Sequence, residues 1–174
     1  MTRFSLHPFP GQDSGGITIH GTIKRTEQSI SLSFCLQGNL DDLVLPTAPT
    51  RERRDNLWQA TCLEMFWSEE GRKNYGEMNL APNGAWNVYG FTEYRAGMHR
   101  EERVSEPAVT TARTPDTFTL TAQLDIASLL GSPPIRIGVS AVLQHRDNRL
   151  SYWALTHPAE KPDFHAPQTF LLRL

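Results

Sequence analysis

Apolar residues in this chain recur at every second position, in short runs, and almost nowhere with the period of a helix. The cleanest run is 29–36 (SISLSFCL), where Ile30, Leu32, Phe34 and Leu36 share one face and Ser31, Ser33 and Cys35 the other. That alternation marks an antiparallel strand with one side in a core. Residues 16–25 place Ile17, Ile19 and Ile23 on one side, and 135–143 place Ile135, Ile137, Val139, Ala141 and Leu143 on one side. Further strands are predicted at 56–67, 74–80, 85–95, 108–113, 118–124, 150–155 and 169–174. Polar punctuation separates them at 26–28, 68–73, 81–84 and 114–116, and Asn83-Gly84 offers the positive φ of a hairpin turn. The stretches 41–55 and 156–167 read as long loops. Residues 125–131 (DIASLLG) form one short helical turn, with Asp125 able to cap it and Gly131 able to end it. The pattern predicts an all-β fold: a single-domain antiparallel β-sandwich, jelly-roll-like, over 1–174, with 1–15 as an irregular tail.

Composition narrows the function classes. A chain of 174 residues buries a core without disulfide staples. Its 17 basic and 19 acidic residues are mixed, for a net charge of −2, which gives no electrostatic footprint for nucleic acid or an anionic membrane. The short basic run Arg51, Glu52, Arg53, Arg54 reads as a solvated loop. There is no transmembrane-length apolar window and no apolar stretch at the N-terminus of signal-peptide type, so the expected compartment is the cytoplasm. Cys35 and Cys62 sit inside strand runs and are expected to be free thiols. No Cys/His spacing suggests zinc.

Candidate chemistry concentrates between residues 56 and 95. This stretch holds Trp58, Trp67 and Trp86, three of the four tryptophans, together with Tyr75, Tyr89 and Tyr94, three of the four tyrosines. Period-two reading sets Trp58, Ala60, Cys62, Glu64 and Phe66 on one face of the 56–67 strand. An unpaired buried carboxylate costs several kcal/mol, so Glu64 requires a partner or solvent: a ligand hydroxyl, an arginine or a metal. In the following hairpin, an even-length loop groups Tyr75, Glu77 and Asn79 with Trp86, Val88 and Gly90 as a working face. It leaves Met78, Leu80, Ala85, Asn87, Tyr89 and Phe91 as core; an odd-length loop or a bulge reverses that pairing. A saccharide site needs flat aromatic surface and polar groups for hydroxyls. Trp58, Glu64, Tyr75, Glu77, Asn79, Trp86, Arg95, Tyr152 and Trp153 offer that mix; the plainer alternative for each ring is core packing. Glu64 and Glu77 could also serve as an acid–base pair. With no phosphate-binding loop, nucleophile elbow or zincin motif, an enzyme is not expected.

The succession Leu57-Trp58-Gln59, Glu64-Met65-Phe66, Tyr75-Gly76-Glu77-Met78-Asn79 and Gly84-Ala85-Trp86 resembles the DOMON-like superfamily, and more narrowly the family-9 carbohydrate-binding modules. The resemblance extends to Tyr152-Trp153 and the closing residues 165–174. It implies an antiparallel β-sandwich holding a saccharide between two tryptophans. Trp58 would stack, Glu64 would hydrogen-bond, Trp153 would be the second ring and Arg95 a polar partner. The extracellular members of that family are secreted parts of glycanases, which this chain is not expected to be. Haem-binding electron-transfer domains of the same superfamily suggest Met98 and His157 as an axial pair, though no CxxCH attachment site exists. The loop bearing His157, Asp163 and His165 is a weaker metal candidate. The resulting expectation is a non-catalytic module for a carbohydrate or similar polar ring, without cofactor, nucleic-acid partner or membrane. A haem domain and a structural or interaction domain with no small-molecule ligand are the alternatives.

Overall fold

The run at 29–36 becomes β3 (Ser29–Gln37), in which Ile30, Leu32, Phe34 and Leu36 are buried while Ser31 and Gln37 are exposed. The computed structural model describes residues 1–46, 48–131 and 133–174. In it β3 is flanked by β2 (Thr18–Arg25) and β9 (Thr117–Asp125), with β1 (Thr2–Pro8) outside β2 and β8 (Ala108–Arg113) outside β9. The second sheet contains β4 (Cys62–Glu69), β5 (Tyr75–Leu80), β6 (Trp86–Phe91), β7 (His99–Arg100), β10 (Ile135–Gln144), β11 (Leu150–Ala154) and β12 (Leu172–Arg173). Its order is β7-β6-β5-β4-β10-β11, and β12 pairs with β10 at Arg136 and Ile137. All pairings between these strands are antiparallel.

The two sheets face each other across one apolar core. From the first come the inward residues of β2, β3 and β9; from the second come Leu63, Met65 and Trp67 of β4 and Ile137, Val139 and Ala141 of β10. The all-β sandwich predicted from alternation is therefore the architecture observed. Strand β1 joins the sheets at one side, pairing with β2 through Thr2 to Leu6 and with β11 through His7 and Pro8. The opposite face of the second sheet is not bare. Phe66, Tyr75, Tyr89, Phe91 and Phe170 form a second apolar cluster there, with Trp58 and Phe164 against it.

Several local expectations change. Residues 2–8 are a strand rather than tail, because Phe4 and Leu6 alternate into the core and β2 supplies a partner that a short run with Pro8 does not advertise. The predicted strand at 56–67 begins only at Cys62. Asn56 is left-handed (φ 62°) and Leu57–Gln59 is a single 3-10 turn, so Trp58 lies on a loop above the sheet. Leu80 pairs with Trp86, leaving five residues in the hairpin connection. Gly84 (φ 86°) donates from its N–H to the Ala81 carbonyl, and Ala81 N–H donates to the Ala85 carbonyl. This is a three-residue hairpin carrying a left-handed glycine, and its odd length turns the face assignment over. Asn87, Tyr89 and Phe91 therefore join Glu77 and Asn79, while Trp86 and Val88 enter the inter-sheet core with Met78 and Leu80. Arg53 is no solvated loop residue: its guanidinium bonds Asn87 Oδ1, Glu102 and the Val88 and Glu101 carbonyls. Position 47 of the predicted 41–55 loop lies outside the described residues. At 125–131 the chain makes one turn, with Leu130 N–H bonded to the Ile126 carbonyl and Ala127 N–H to Asp125 Oδ1.

Gly76 shows how tightly the second sheet is fitted. A Cβ there would lie 2.2 Å from Cζ2 of Trp67, its cross-strand partner. Gly76→Ala is expected to cost about 1–3 kcal/mol, the usual cost of overpacking a filled core. Urea melts check this, and wild-type stability in the variant would contradict so close a fit.

Candidate functional site

The loop-covered face of the second sheet carries a row of polar side chains where an apolar one would be routine. Pairing sets Glu64 beside Asn79 of β5 on one side and Ser140 of β10 on the other. Ser140 Oγ donates to Glu64 Oε2 at 2.7 Å, and Asn79 Nδ2 donates to Glu77 Oε1 at 2.7 Å. Glu64 is 2% exposed, Glu77 4% and Asn79 0%. Asn79 Oδ1 has no hydrogen-bond partner among the described residues. Among the described residues neither glutamate takes part in a salt bridge.

Two carboxyls held this way resist ionisation. Burial, reinforced by the neighbouring Glu77 charge, pushes Glu64 up from 4.5 to about 8. Burial raises Glu77 to about 7, against the opposing pull of Asn79 and Arg95. Burial likewise raises the thiol of Cys62, next along β4 on the same face.

Above this polar floor lies a cavity of about 340 Å³. Trp58, Phe66, Phe91, Tyr152 and Phe164 contribute its aromatic surface, and Glu64 and Glu77 reach it from below. The rim is latched. Arg95, left-handed at φ 52°, bonds Asp163 Oδ1 at 2.8 Å, and Tyr94 Oη donates to Asp163 Oδ2 at 2.6 Å. These contacts tie the 92–98 loop to 162–165. The Tyr75 hydroxyl accepts from Arg95 N–H at 3.2 Å and shares a hydrogen bond with Nδ1 of His165 at 2.8 Å. Burial and the nearby Arg95 hold the His165 pKa down at about 4, which keeps the ring neutral at physiological pH.

Of the residues singled out in the sequence, the fold brings Trp58, Glu64, Glu77 and Arg95 around one cavity, with Tyr152 beside them. Asn79 lies in the floor, and Tyr75 is buried, stacked on Phe91 with ring centroids 4.6 Å apart. Trp86 and Trp153 are elsewhere. Trp86 is in the inter-sheet core, with the Arg53 guanidinium 5.2 Å from its ring centroid. Trp153 is 2% exposed in the same core and donates its indole N–H to Ser151 Oγ at 3.1 Å. Neither ring can stack on a ligand in this cavity, and the expectation for both is corrected. The reason is parity: Trp153 pairs with core-facing Ala141, so its neighbour Tyr152 takes the cavity face.

Met98 lines the cavity but His157 does not; its Nε2 bonds the His7 carbonyl at 2.8 Å and its ring packs on Phe9. Among the described residues no group of three or more His, Cys, Asp or Glu is placed to hold a metal. Sequence reading missed Phe66, Phe91, Phe164 and Ser140 as site residues and had His165 only as a metal candidate. Two of the missed residues were signalled: Phe66 shares the face of Glu64, and Ser140 falls on the face of β10 away from the core.

No family model matches the chain, and no curated protein matches it. Solved structures do. A candidate carbohydrate-binding protein from Bacteroides uniformis superposes with a TM-score of 0.69 at 16% identity, covering 97% of this chain and 84% of that one. A family-9 carbohydrate-binding module from Caldicellulosiruptor kristjanssonii in complex with cellotriose gives 0.62 at 10% identity, covering 91% and 74%. A family-9 module from the same organism in complex with glucose gives 0.52 at 9%, covering 87% and 72%. The fold thus resembles that of family-9 carbohydrate-binding modules.

Proposed function

We propose that the chain is a non-catalytic binding module that takes a saccharide, or a similar polar ring, in the cavity above Glu64 and Glu77. One observation carries the reading: aromatic side chains line a cavity into which two buried carboxyls reach, Glu64 and Glu77, neither of them in a salt bridge among the described residues. A sugar offers C–H faces to such walls and hydroxyl donors to such a floor. The solved neighbours that carry cellotriose and glucose support the same reading.

Catalysis of glycoside hydrolysis is disfavoured by placement. It requires carboxyls flanking the scissile bond. Glu64 and Glu77 rise from adjacent strands on the same sheet face and address a ligand from one side. The module needs no cofactor in this reading, and its partner is a small molecule.

Calorimetry with glucose and cellotriose tests the proposal. Saturable binding without product is expected. Trp58→Ala should weaken that binding about tenfold or more, since losing about 1.4 kcal/mol of stacking suffices for that factor. Because Trp58 sits half-buried on a loop turn at the edge of the second apolar cluster, its removal should lower the melting temperature far less than the loss of a core tryptophan. Silence across a glycan array would sink the reading.

A further inference from the structure

We propose that the cavity selects ligands bearing a protonated amine, so that an amino sugar is preferred over the matching neutral hexose. The inference rests on reading this cavity as the ligand site.

The groups facing the glutamate pair can be taken element by element. Strand β4 presents Cys62; β5 presents Asn79 and, further along, Tyr75; β6 presents Asn87 and Tyr89, the latter opposite Glu77 with its hydroxyl donating to Asp55; β10 presents Ser140. The covering loops present Arg95, Asp163 and His165. Of these, Arg95 is committed to Asp163, and that pair is neutral overall. His165 carries no charge. Ser140 Oγ donates to Glu64, and one N–H of Asn79 Nδ2 donates to Glu77. What reaches the cavity from the floor is the two carboxyl groups, neither in a salt bridge among the described residues.

A ligand hydroxyl brings one donor and two lone pairs into that acceptor-rich space. An ammonium brings three donors and no acceptor. It also supplies, at the carboxyls themselves, a counter-charge that the fold provides only from Arg95, which is paired with Asp163. Burial and mutual repulsion favour keeping a proton on the pair, the direction in which both carboxyls are shifted. An ammonium between them lets that proton leave. The walls agree in sign, since Trp58, Phe91, Tyr152 and Phe164 line the cavity and an aromatic ring attracts a cation that meets its face. Aromatic walls and an anionic floor would each tolerate a neutral sugar. Together, with Arg95 of the cavity lining tied to Asp163, they favour a cation.

The experiment is calorimetry of the whole chain at pH 7 with glucose, glucosamine, N-acetylglucosamine and cyclohexylamine. Glucosamine is expected to bind about tenfold or more tightly than glucose and N-acetylglucosamine. Repeating the titration in buffers of different ionisation enthalpy should show protons released on glucosamine binding and none on glucose binding. Glu64→Gln and Glu77→Gln, which keep shape and remove charge, should each shrink the amine preference. Equal or tighter binding of glucose overturns the amine selectivity and leaves the saccharide module standing. Binding of cyclohexylamine alone upholds amine selectivity and overturns the saccharide reading. No binding of any of the four overturns both.

Discussion

Raising the pH from about 6.5 to 8 should destabilise the folded chain by about 2–3 kcal/mol, at roughly 1.4 kcal/mol per unit of displaced titration. The sign follows from which state holds protons. In the unfolded chain Glu64 and Glu77 ionise near 4.5; in the fold they do so only near 8 and 7. Their contribution is complete below the unfolded value and is lost as pH climbs through the folded ones. His165 acts oppositely, being depressed from 6.5 to about 4, so between those values it gains stability with pH and partly offsets the glutamates. Above 6.5 that compensation ends and the glutamates alone set the slope. Urea melts at half-unit pH steps measure it. Glu64→Gln should flatten most of the decline, because it removes the higher of the two titrations and the like charge beside Glu77. A flat wild-type profile, or an unchanged slope in the variant, would show that the pair ionises freely in the fold.

Trp153→Ala should cost about 3–5 kcal/mol, the range for emptying a large aromatic site in a packed core. The ring is fully enclosed between the sheets, and Ser151 Oγ would lose the indole N–H it accepts from, although His145 Nε2 also lies 2.9 Å away. The contrast with Trp58 is the useful measurement. One tryptophan should govern stability, the other ligand affinity, and thermal melts of the two variants side by side separate them. If Trp153→Ala folded as well as wild type, the inter-sheet placement of that ring would be wrong.

The sandwich was legible because burial writes itself into alternation. Wherever one face meets the core and the other meets solvent, as in β3 and β9, the period-two signal is strong. The second sheet blurred it. Its strands β4 and β5 are buried on both faces, so neither side of 56–67 or 74–80 reads as solvent-exposed. Parity still separated Glu64 from Leu63 and Met65, and Glu77 from Met78. It failed for Trp86 because a single left-handed glycine decides whether the hairpin connection counts even or odd, and the Asn-Gly pair is compatible with either. It could not supply Phe164 or His165, whose position depends on a loop held by Asp163 to Arg95 and by Tyr75, contacts far apart in the chain.

Strand β1 has a consequence for how the molecule assembles. It is hydrogen-bonded to β2 and also to β11, near the opposite end of the chain. Likewise β4 finds its neighbour β10 only after the whole of β5 to β9 has been made, and β12 docks on β10 last. Closing loops of that length must precede the contacts that reward it, which places the chain among slow, high-contact-order folders. On the ribosome the meander β4-β5-β6 would form early, with the apolar face of β4 and its free edge exposed until β10 emerges. Strand β1, made before the other strands of the sandwich, is thus among the last to find its full set of partners, and its docking fastens both sheets in one step.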